Sequence, residues 1–316
     1  MTVFTHPGQP EMQVEPILSS RSTISETPVL HTLRLRFPRM LLPEFNTHRV
    51  FSRNARSSRA VPVKTMLNEV RTKPFVPWQW GKNQKGMQAS EECNEVVNPM
   101  PFVTNAAYDP YALPYDMTRE EAWRNAANHA VAAAEAYMTA GYHKQIANRL
   151  LEPFMWIDVL VTATEWSNFL WLRDHGDAEP HLRDLARLVG QAIEAAYVQE
   201  LEPGEWHLPY ITDADRKEAY NGPSQSISWN WLCRLSAARC ARISYKPFDG
   251  DASYERELER YDSLVKSDRV HASPLEHPAS PDRMSPEGRW ENPHLSGNFA
   301  PGWVQYRKTV PGENHV

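Results

Sequence analysis

The sequence predicts an α/β fold, in which a mixed β-sheet packs against long helices within one main domain. Residues 33–37 read LRLRF, and this alternation of apolar and charged side chains is typical of a half-buried strand. Several later segments carry the apolar periodicity of amphipathic helices. The length of 316 residues is long for one domain but short for two large ones.

The segments around this strand differ in their regularity. Residues 1–28 are polar and interrupted by prolines, which predicts an N-terminal arm that is mobile or lies on the surface. Residues 29–316 are expected to form the α/β domain. Within it, residues 72–115 are rich in Pro, Trp, Gly and Asn, which predicts a long irregular insertion.

The predicted helices occupy the second half of the chain and its middle. Thr118 followed by Glu121 is typical of a capping box, which opens an alanine-rich helix that runs to about Gly141. Two more helices are predicted from residue 144 to about 171 and from residue 180 to about 200. The remaining helical patterns cover residues 229–245 and 254–266.

Charge and cysteine content exclude several classes of protein. The net charge of -5 gives no overall basic field, so phosphate binding has to be local and a nucleic-acid partner is not expected. The three cysteines form no CxxC pair, which indicates reduced thiols and no metal site. No apolar run is long enough to span a membrane, and no signal peptide is evident, so we expect a cytoplasmic protein.

Residues 48–59, which read HRVFSRNARSSR, contain the highest density of side chains that could bind a ligand. Guanidinium, hydroxyl and amide groups together suit a phosphate monoester or a pyrophosphate. The composition also fits a solvated basic face or a nucleic-acid patch, although aromatic stacking partners are sparse nearby. The side chains concerned are Arg49, Ser52, Arg53, Asn54, Arg56, Ser57, Ser58 and Arg59.

Residues 47–59 read THRVFSRNARSSR and resemble the motif RHRxxSxNExSxR of flavin-dependent thymidylate synthases. Two fixed positions depart from the motif: Thr47 stands for arginine and Ala55 for glutamate. The resemblance implies that His48 and Arg49 contact FAD, with Thr47 as a weakened contact. It also implies that Ser57 and Arg59 bind the phosphate region of a nucleotide.

Further stretches extend the resemblance. NFLWLR at residues 168–173 is similar to the family's NFLxLR on a long helix, which implies that Asn168 is a flavin ligand and that Arg173 reaches the pyrimidine base. There Arg173 would stabilise negative charge that develops on the base. NRLLEP makes Arg149 a candidate for the nucleotide phosphate, and Glu44 falls where the family has a glutamine facing the nucleotide.

Residues 237–277 resemble a part of the family that usually comes first. They read AARCARISY, then a helix, then HASPLEH, similar to an AARVS stretch, a helix and an HxTPFEH turn. This order implies a circularly permuted version of the thymidylate synthase-complementing-protein fold. In that arrangement His271, Ser273 and Glu276 return to the flavin site beside His48 and Arg49.

The resemblance also implies a reaction. FAD would carry the difficult step while the protein binds and orients the reactants. The family methylates dUMP to dTMP with methylenetetrahydrofolate as carbon donor and NADPH as reductant, and it forms homotetramers with shared sites. Ser57 is better assigned to positioning than to nucleophilic attack, because no general base lies at an evident spacing.

Two alternatives stay open. Ala55 and Glu44 both depart from the family beside the expected nucleotide, and a carboxylate there would favour the amino group of cytosine. The enzyme would then be a flavin-dependent dCMP or dUMP methylase or hydroxymethylase, of the kind phages use to modify DNA precursors. The alternative of another class is a non-catalytic nucleic-acid binding protein, which would show steep salt dependence and no bound chromophore.

Overall fold

The computed structural model describes residues 2–24, 26–98, 116–220, 228–243, 252–266 and 270–314. These residues form a six-stranded sheet and a two-stranded sheet. The strands are β1 (Phe4–His6), β2 (Gln9–Ser22), β3 (Leu30–Pro38), β4 (Ser52–Ala55), β5 (Trp156–Ala163), β6 (Val198–Leu201), β7 (Ala279–Pro281) and β8 (Trp303–Gln305). The helices are α1 (Leu42–Phe45), α2 (Val63–Thr72), α3 (Arg119–Thr139), α4 (Lys144–Ala147), α5 (Ser167–Arg173), α6 (Pro180–Glu194), α7 (Asp213–Tyr220), α8 (Trp229–Ala241) and α9 (Tyr254–Val265).

The larger sheet is mixed. Its strands follow the order β1-β2-β3-β5-β4 with antiparallel pairing, and β6 joins β2 in parallel. β5 lies between β3 and β4, and all of its residues are buried. The predicted α/β fold, a mixed sheet backed by helices, is therefore confirmed.

The two faces of this sheet differ in chemistry. Leu33, Leu35 and Phe37 of β3 face the same side as Val159 and Val161 of β5, and this side joins one apolar core with α6. The opposite face carries charged and hydroxyl side chains, because side chains alternate between the two faces along each strand. The functional chemistry described below lies on this polar face.

Two further apolar clusters hold the remaining helices. α2, α3 and the 3-10 turns at residues 148–154 pack together in one of them. α8, α9 and the 3-10 turns at residues 273–276 and 306–309 pack in the other. The turn at residues 273–276 also lies against β4, which brings late residues beside an early strand.

The prediction of an N-terminal arm over residues 1–28 is wrong for β2. Met12 and Val14 are fully buried, and β2 pairs with β1, β3 and β6. Pro16 lies beside a register irregularity between residues 16 and 18, where a proline is tolerated because the ladder is interrupted. The prolines therefore led to the wrong prediction, although buried and less buried side chains alternate along much of this strand.

The prediction of one helix from residue 144 to about 171 is also wrong. This segment forms the short helix α4, 3-10 turns that contain Pro153, the strand β5 and the start of α5. β5 reads WIDVLVTA and is buried on both faces, so it lacks the alternation that identifies a half-exposed strand. NFLWLR consequently lies on the seven-residue helix α5 and not on a long helix.

The other predicted helices are present, but the helix predicted from residue 180 to about 200 ends at Glu194, and residues 198–200 belong to β6. The capping box of Thr118 and Glu121 opens α3, and α6 buries one apolar face as predicted. α8 ends at Ala241, and the predicted end of that helix at residue 245 lies outside the described residues. In the predicted insertion, residues 73–98 form isolated bridges such as Gly81 with Glu92, and residues 99–115 lie outside the described residues. None of the helices described has both the length and the apolar character needed to cross a bilayer.

Candidate functional site

A cavity of about 1670 Å³ opens between the polar face of the sheet and helices α8 and α9. Among the described residues that line it, eight are lysine or arginine and three are aspartate or glutamate. The basic residues are Arg34, Arg36, Arg56, Lys144, Arg239, Arg242, Arg256 and Arg260, and the acidic ones are Glu69, Asp158 and Glu259. This basic excess is local, since the whole chain carries a net charge of -5.

The sheet supplies one wall of the cavity. The Asp158 carboxylate accepts from Arg36 Nη1 at 2.9 Å and from Arg34 Nη2 at 3.2 Å. Arg56 donates to both carboxylate oxygens of Glu69 at 2.8 Å. Paired guanidinium groups of this kind are held in fixed orientations, because each fork is bound at two points.

Tyr210 adds a strained aromatic residue to the cavity lining. Its φ angle of 63° lies in the left-handed region that residues with a Cβ rarely adopt. The Tyr210 carbonyl accepts from Arg239 Nη1 at 2.7 Å, and burial raises the pKa of its hydroxyl. Such strained residues concentrate at functional sites, so Tyr210 is a candidate ligand contact that the sequence did not reveal.

Residues of the early motif and of the late turn meet at this cavity. Ser57 lines it together with His271 and Ser273, which lie more than two hundred residues later in the chain. Asn54 Nδ2 donates to the Cys240 carbonyl at 2.8 Å, which joins β4 to α8. Ser57 and Asn54 are motif positions, so the motif lies where the early and late segments contact each other.

A second cluster surrounds Arg173, whose side chain contacts the first two residues of the motif. Its Nε donates to His48 Nε2 at 3.0 Å, and its Nη2 donates to Thr47 Oγ1 at 3.2 Å. Its Nη1 lies 3.4 Å from Glu44 Oε2. Arg173 therefore contacts three other residues predicted for the site, although it is separated from Glu44 by 129 residues in sequence.

His48 is neutral in this cluster. Burial, followed by the positive charges of Arg173 and Arg53, lowers its pKa to about 4. Its ring packs at a centroid distance of 5.0 Å against Phe169 and at 5.8 Å against Phe51. Because Nε2 accepts from Arg173, the ring proton of neutral His48 resides on Nδ1.

Glu276 connects the late turn to this second cluster through Arg53. Arg53 Nη1 donates to the His48 carbonyl at 3.0 Å. Burial lowers the pKa of Arg53, and the negative charge of Glu276 offsets part of this effect. Glu276 also forms a short ion pair with Arg307. The predicted flavin ligand Glu276 thus lies near Arg53 and is engaged with another cation.

The remaining predicted site residues lie apart from the cavity on this single chain. Arg49, Arg59, Arg149 and Asn168 are exposed, and none of them is among the described residues that line it. Arg149 instead donates to Glu152 at 3.0 Å within its own turn. A single chain therefore assembles only part of the predicted set.

A row of buried polar side chains crosses the sheet beside the late turn, and the sequence did not reveal it. We call this set the hydroxyl–histidine row. Thr32, Thr162 and Ser52 are cross-strand neighbours on β3, β5 and β4. The full row consists of Ser20, Thr32, Ser52, Thr162, His207, His277 and Gln305, all of them buried.

Hydrogen bonds connect five members of this row into one continuous chain. Ser20 contacts His207 Nδ1 at 2.7 Å, and His207 Nε2 contacts Thr32 at 2.8 Å. Thr32 contacts Thr162 at 2.6 Å, and Thr162 contacts His277 Nδ1 at 2.8 Å. Gln199 Nε2 donates to Ser20 Oγ. If both histidines carry their ring proton on Nε2, each hydroxyl group donates once along the chain: Ser20 to His207, Thr32 to Thr162 and Thr162 to His277.

Gln305 and the histidines attach the late turn to the sheet. Gln305 Nε2 donates to Ser52 Oγ at 3.0 Å and to the Glu276 carbonyl at 3.1 Å. Burial lowers the pKa of His207 and of His277 to about 3, so both are neutral at physiological pH. The motif serine Ser52 therefore fixes the turn that carries Ser273 and Glu276.

No protein-family model and no curated protein matches the chain. Two crystal structures of the flavin-dependent thymidylate synthase ThyX from Helicobacter pylori, both with FAD and dUMP, are similar to it with a TM-score of 0.32. The sequence identities are 17% and 16%, and each alignment covers 52% of this chain and 67% of the other. These similarities are too distant to assign the chain to a family.

Proposed function

We propose that the chain is a flavin-dependent enzyme that adds a one-carbon unit to C5 of a pyrimidine deoxynucleoside monophosphate, with dUMP as substrate. One observation carries this proposal: Ser57 of the early motif lines the same arginine-rich cavity as His271 and Ser273 of the late turn. These residues belong to the two segments whose sequences resemble flavin-dependent thymidylate synthases. Their meeting supports a common site built from a permuted chain.

The cavity suits a flavin dinucleotide together with a mononucleotide. Its volume of about 1670 Å³ exceeds the roughly 300–1,000 Å³ typical of a site for one small ligand. Guanidinium groups line it, and they are the preferred partners of phosphate and diphosphate oxygens. FAD would supply the redox and group-transfer chemistry when bound, with NADPH as reductant and methylenetetrahydrofolate as carbon donor.

In this proposal the chain's own residues bind and orient the reactants. Neutral His48 and Thr47 hold the Arg173 guanidinium in one orientation, from which it would stabilise negative charge on the pyrimidine carbonyls. Ser57 positions the nucleotide, and His48 belongs to the flavin side together with His271, Ser273, Glu276 and Asn168. Preorganised charge of this kind contributes strongly to catalysis because it needs no reorganisation during the reaction.

The exposed residues suggest how the site is completed. Arg49, Arg59, Arg149 and Asn168 are accessible on one chain and lie outside the cavity lining. In the proposed homotetramer these side chains would complete the site of a neighbouring subunit. Nucleotide binding by Arg59 and Arg149 would then depend on assembly.

Glu44 favours a second substrate, dCMP. Its side chain is 47% exposed and lies 3.4 Å from Arg173, the residue assigned to the base. A carboxylate in this place can accept a hydrogen bond from the C4 amino group of cytosine. Uracil has a carbonyl at C4, which accepts hydrogen bonds but cannot donate one to the carboxylate. The product would be a methylated or hydroxymethylated deoxycytidylate.

Nucleic-acid binding is less well supported by the geometry. Arg56 is bidentate to Glu69, and Arg53 donates to backbone carbonyls, so half of the motif's arginines are turned inward. A phosphate-tracking surface needs a run of accessible cations along one face. The motif does not present such a run.

The test is a product assay with both nucleotides. The purified protein is incubated with FAD, NADPH, methylenetetrahydrofolate and either dUMP or dCMP, and the nucleotide is analysed by mass spectrometry. We expect a methyl or hydroxymethyl group to be gained by one nucleotide, with flavin absorption bands in the protein. A protein that cannot be loaded with FAD, or that leaves both nucleotides unchanged, would refute the proposal.

A further inference from the structure

The motif loop, which we define as residues 57–61, lies between β4 and α2 and carries Ser57 and Arg59, the two motif residues proposed to bind the nucleotide phosphate. The loop turns back on itself, because the Ala60 and Val61 amides donate to the Ser57 carbonyl at 3.0 and 3.4 Å. It forms neither helix nor strand, so no ladder of backbone hydrogen bonds fixes it along its length. Its conformation therefore depends on contacts with other parts of the chain.

The side chain of Asn148 closes the motif loop. Asn148 is fully buried, and its Nδ2 donates to the Ser58 carbonyl at 2.7 Å and to the Val61 carbonyl at 3.0 Å. Carbonyl oxygens only accept hydrogen bonds, so both contacts require the amide nitrogen and fix the orientation of the side chain. One carbonyl precedes Arg59 in the chain and the other follows it. A single amide group therefore joins the two ends of the segment that presents the Arg59 side chain.

The place of Asn148 in the fold makes it a firm attachment for the loop. Asn148 begins the 3-10 turns at residues 148–154, and Ala147 before it and Leu151 after it belong to the apolar cluster that holds α2 and α3. Among the described residues, Asn148 Oδ1 is buried without a hydrogen-bond partner, which destabilises the folded chain. Attachment of the loop through Nδ2 is thus the polar contribution that this side chain makes.

Lys144 of α4 holds the motif loop at a third carbonyl. Its Nζ donates to the Ala60 carbonyl at 2.8 Å, and the residue lines the cavity. Seven of the eight cations that line the cavity form an ion pair with a carboxylate, and Lys144 is the one without such a partner among the described residues. Its positive charge therefore adds to that of Arg59 and is not balanced by a neighbouring carboxylate.

We infer that Asn148 and Lys144 are positioning residues, which hold the motif loop in the conformation in which Ser57 and Arg59 bind the nucleotide phosphate. This inference rests on the proposed function, which assigns the phosphate to those two residues. Carbonyl oxygens carry partial negative charge and repel a phosphate, and three of them in the loop are occupied by these donors. A loop that is fixed before the nucleotide arrives also loses less conformational entropy on binding.

A double-mutant cycle between Asn148 and Arg59 tests this role. Binding of dUMP to the full chain is measured by calorimetry at constant ionic strength for the wild type, Asn148→Leu, Arg59→Ala and the double variant. Leucine keeps the branched shape of asparagine but has no donor for the loop carbonyls. We expect Asn148→Leu to weaken binding about 10-fold in the wild-type background and about 3-fold or less in the Arg59→Ala background, where only Ser57 remains to be positioned.

A loss of equal size in both backgrounds would overturn the inference, since a general structural role of Asn148 acts independently of Arg59. The matched control is Asn292→Leu. Asn292 Nδ2 donates to Asp282 at 2.8 Å, and Asn292 is not among the described residues that line the cavity. This control also removes a side-chain amide donor, so it should lower the free energy of unfolding but leave the affinity for dUMP unchanged. The loss in Asn148→Leu should be the same for dCMP, because both nucleotides carry the same phosphate.

Variants of Lys144 keep the inference testable if urea unfolding shows that Asn148→Leu does not fold. Lys144 is only partly buried, so its replacement is compatible with folding. Lys144→Met should weaken dUMP binding about 5-fold, and Lys144→Gln should recover part of this loss, because it keeps an N–H donor for the Ala60 carbonyl without the charge. Equal losses in the two variants would show that Lys144 contributes charge alone and would overturn its role in positioning.

The conversion assay separates this inference from the proposed function. If Asn148→Leu shows the expected coupling to Arg59 while the wild type converts neither dUMP nor dCMP, the proposed function is refuted and the inference stands. If the wild type converts a nucleotide while Asn148→Leu binds dUMP with wild-type affinity, the inference alone is overturned.

Discussion

At the scale of single residues, the departure of Thr47 from the motif agrees with the contacts of Arg173. Thr47 Oγ1 accepts a hydrogen bond from Arg173 Nη2 at 3.2 Å. An arginine at position 47 has no acceptor and would place a second positive charge beside the first. Thr47 is thus suited to hold Arg173, a role that the family's arginine cannot perform in this arrangement.

Arg59 provides a test of the division between nucleotide and flavin. Arg59→Ala is expected to weaken dUMP binding about 10-fold or more, because a charge-assisted hydrogen bond to phosphate is lost. FAD affinity should stay unchanged, as measured by absorbance titration. Lys64→Ala removes another exposed cation nearby on α2 and serves as the control for net charge. A loss of FAD in Arg59→Ala, or an equal loss of dUMP in both variants, would show that the motif is assigned wrongly.

Glu44 tests the choice of base. If dCMP is the substrate, Glu44→Gln should lower kcat/KM for dCMP about 10-fold, because the charged acceptor for the amino group is lost. The value for dUMP should fall less or rise. Steady-state assays with the two nucleotides measure this ratio. An unchanged ratio would exclude Glu44 as the residue that selects the base.

At the scale of secondary-structure elements, the hydroxyl–histidine row fixes the late turn on the sheet. Thr162 of β5 contacts both Thr32 and His277, and the turn that precedes His277 carries Ser273 and Glu276. The strand and the turn are 115 residues apart in sequence at this contact. The row therefore holds the turn of the proposed flavin site in a fixed position relative to the sheet.

Thr162→Val tests this role while preserving side-chain volume. Among the described residues, the variant leaves His277 without a hydrogen-bond partner and removes the acceptor of the Thr32 hydroxyl proton, which should lower the free energy of unfolding by about 2–3 kcal/mol. It should also weaken FAD binding, because the turn loses an attachment. Urea unfolding and FAD titration measure the two effects. Thr162→Ser keeps the hydroxyl and should recover most of both, and equal behaviour of the two variants would remove the row from the account.

The sequence predicted some elements well for identifiable reasons. α3 has a capping box at Thr118. In α6 the apolar residues recur with the period of an α-helix, so they form one apolar face. β3 alternates arginine with leucine, so its two faces were evident. β5 was missed because it is buried on both faces, and β2 was missed because prolines interrupt it. Short apolar runs do not distinguish strand from helix by periodicity.

The candidate site was predicted in part for a similar reason. Thr47 and His48 were predicted from the motif, and Arg173 from the resemblance of NFLWLR. Glu44 was predicted from its place before the motif, and Arg173 contacts all three of the other residues. His207, Thr162 and Gln305 were not predicted, because single polar residues that meet only in the folded chain leave no local pattern.

At the scale of the whole molecule, buried histidines make stability depend on pH. Burial lowers the pKa of His207 and His277 from the usual 6.5 to about 3. Protonation therefore favours the unfolded chain, where the pKa is ordinary. The stabilisation is complete above pH 6.5 and is lost progressively as pH falls from 6.5 towards 3.

The expected loss is large enough to measure. Between pH 7.5 and pH 5.5 the two groups together should cost about 3 kcal/mol, since each loses about 1.4 kcal/mol per pH unit below 6.5. Urea unfolding at both pH values measures the change in the wild type and in His277→Gln. Burial also lowers the pKa values of His31 and His48 to about 4, so the variant should retain roughly three quarters of the pH dependence of the wild type. Identical pH dependence in both proteins would show that His277 is not buried and neutral.

The central claim is that an early and a late segment of the chain build one flavin site. An absorbance titration with FAD, carried out on the wild type, His48→Ala, Ser273→Ala and the surface control Lys64→Ala, tests it most directly. We predict that His48→Ala and Ser273→Ala each weaken FAD binding about 10-fold while Lys64→Ala leaves it unchanged. Wild-type affinity in either His48→Ala or Ser273→Ala would contradict the claim.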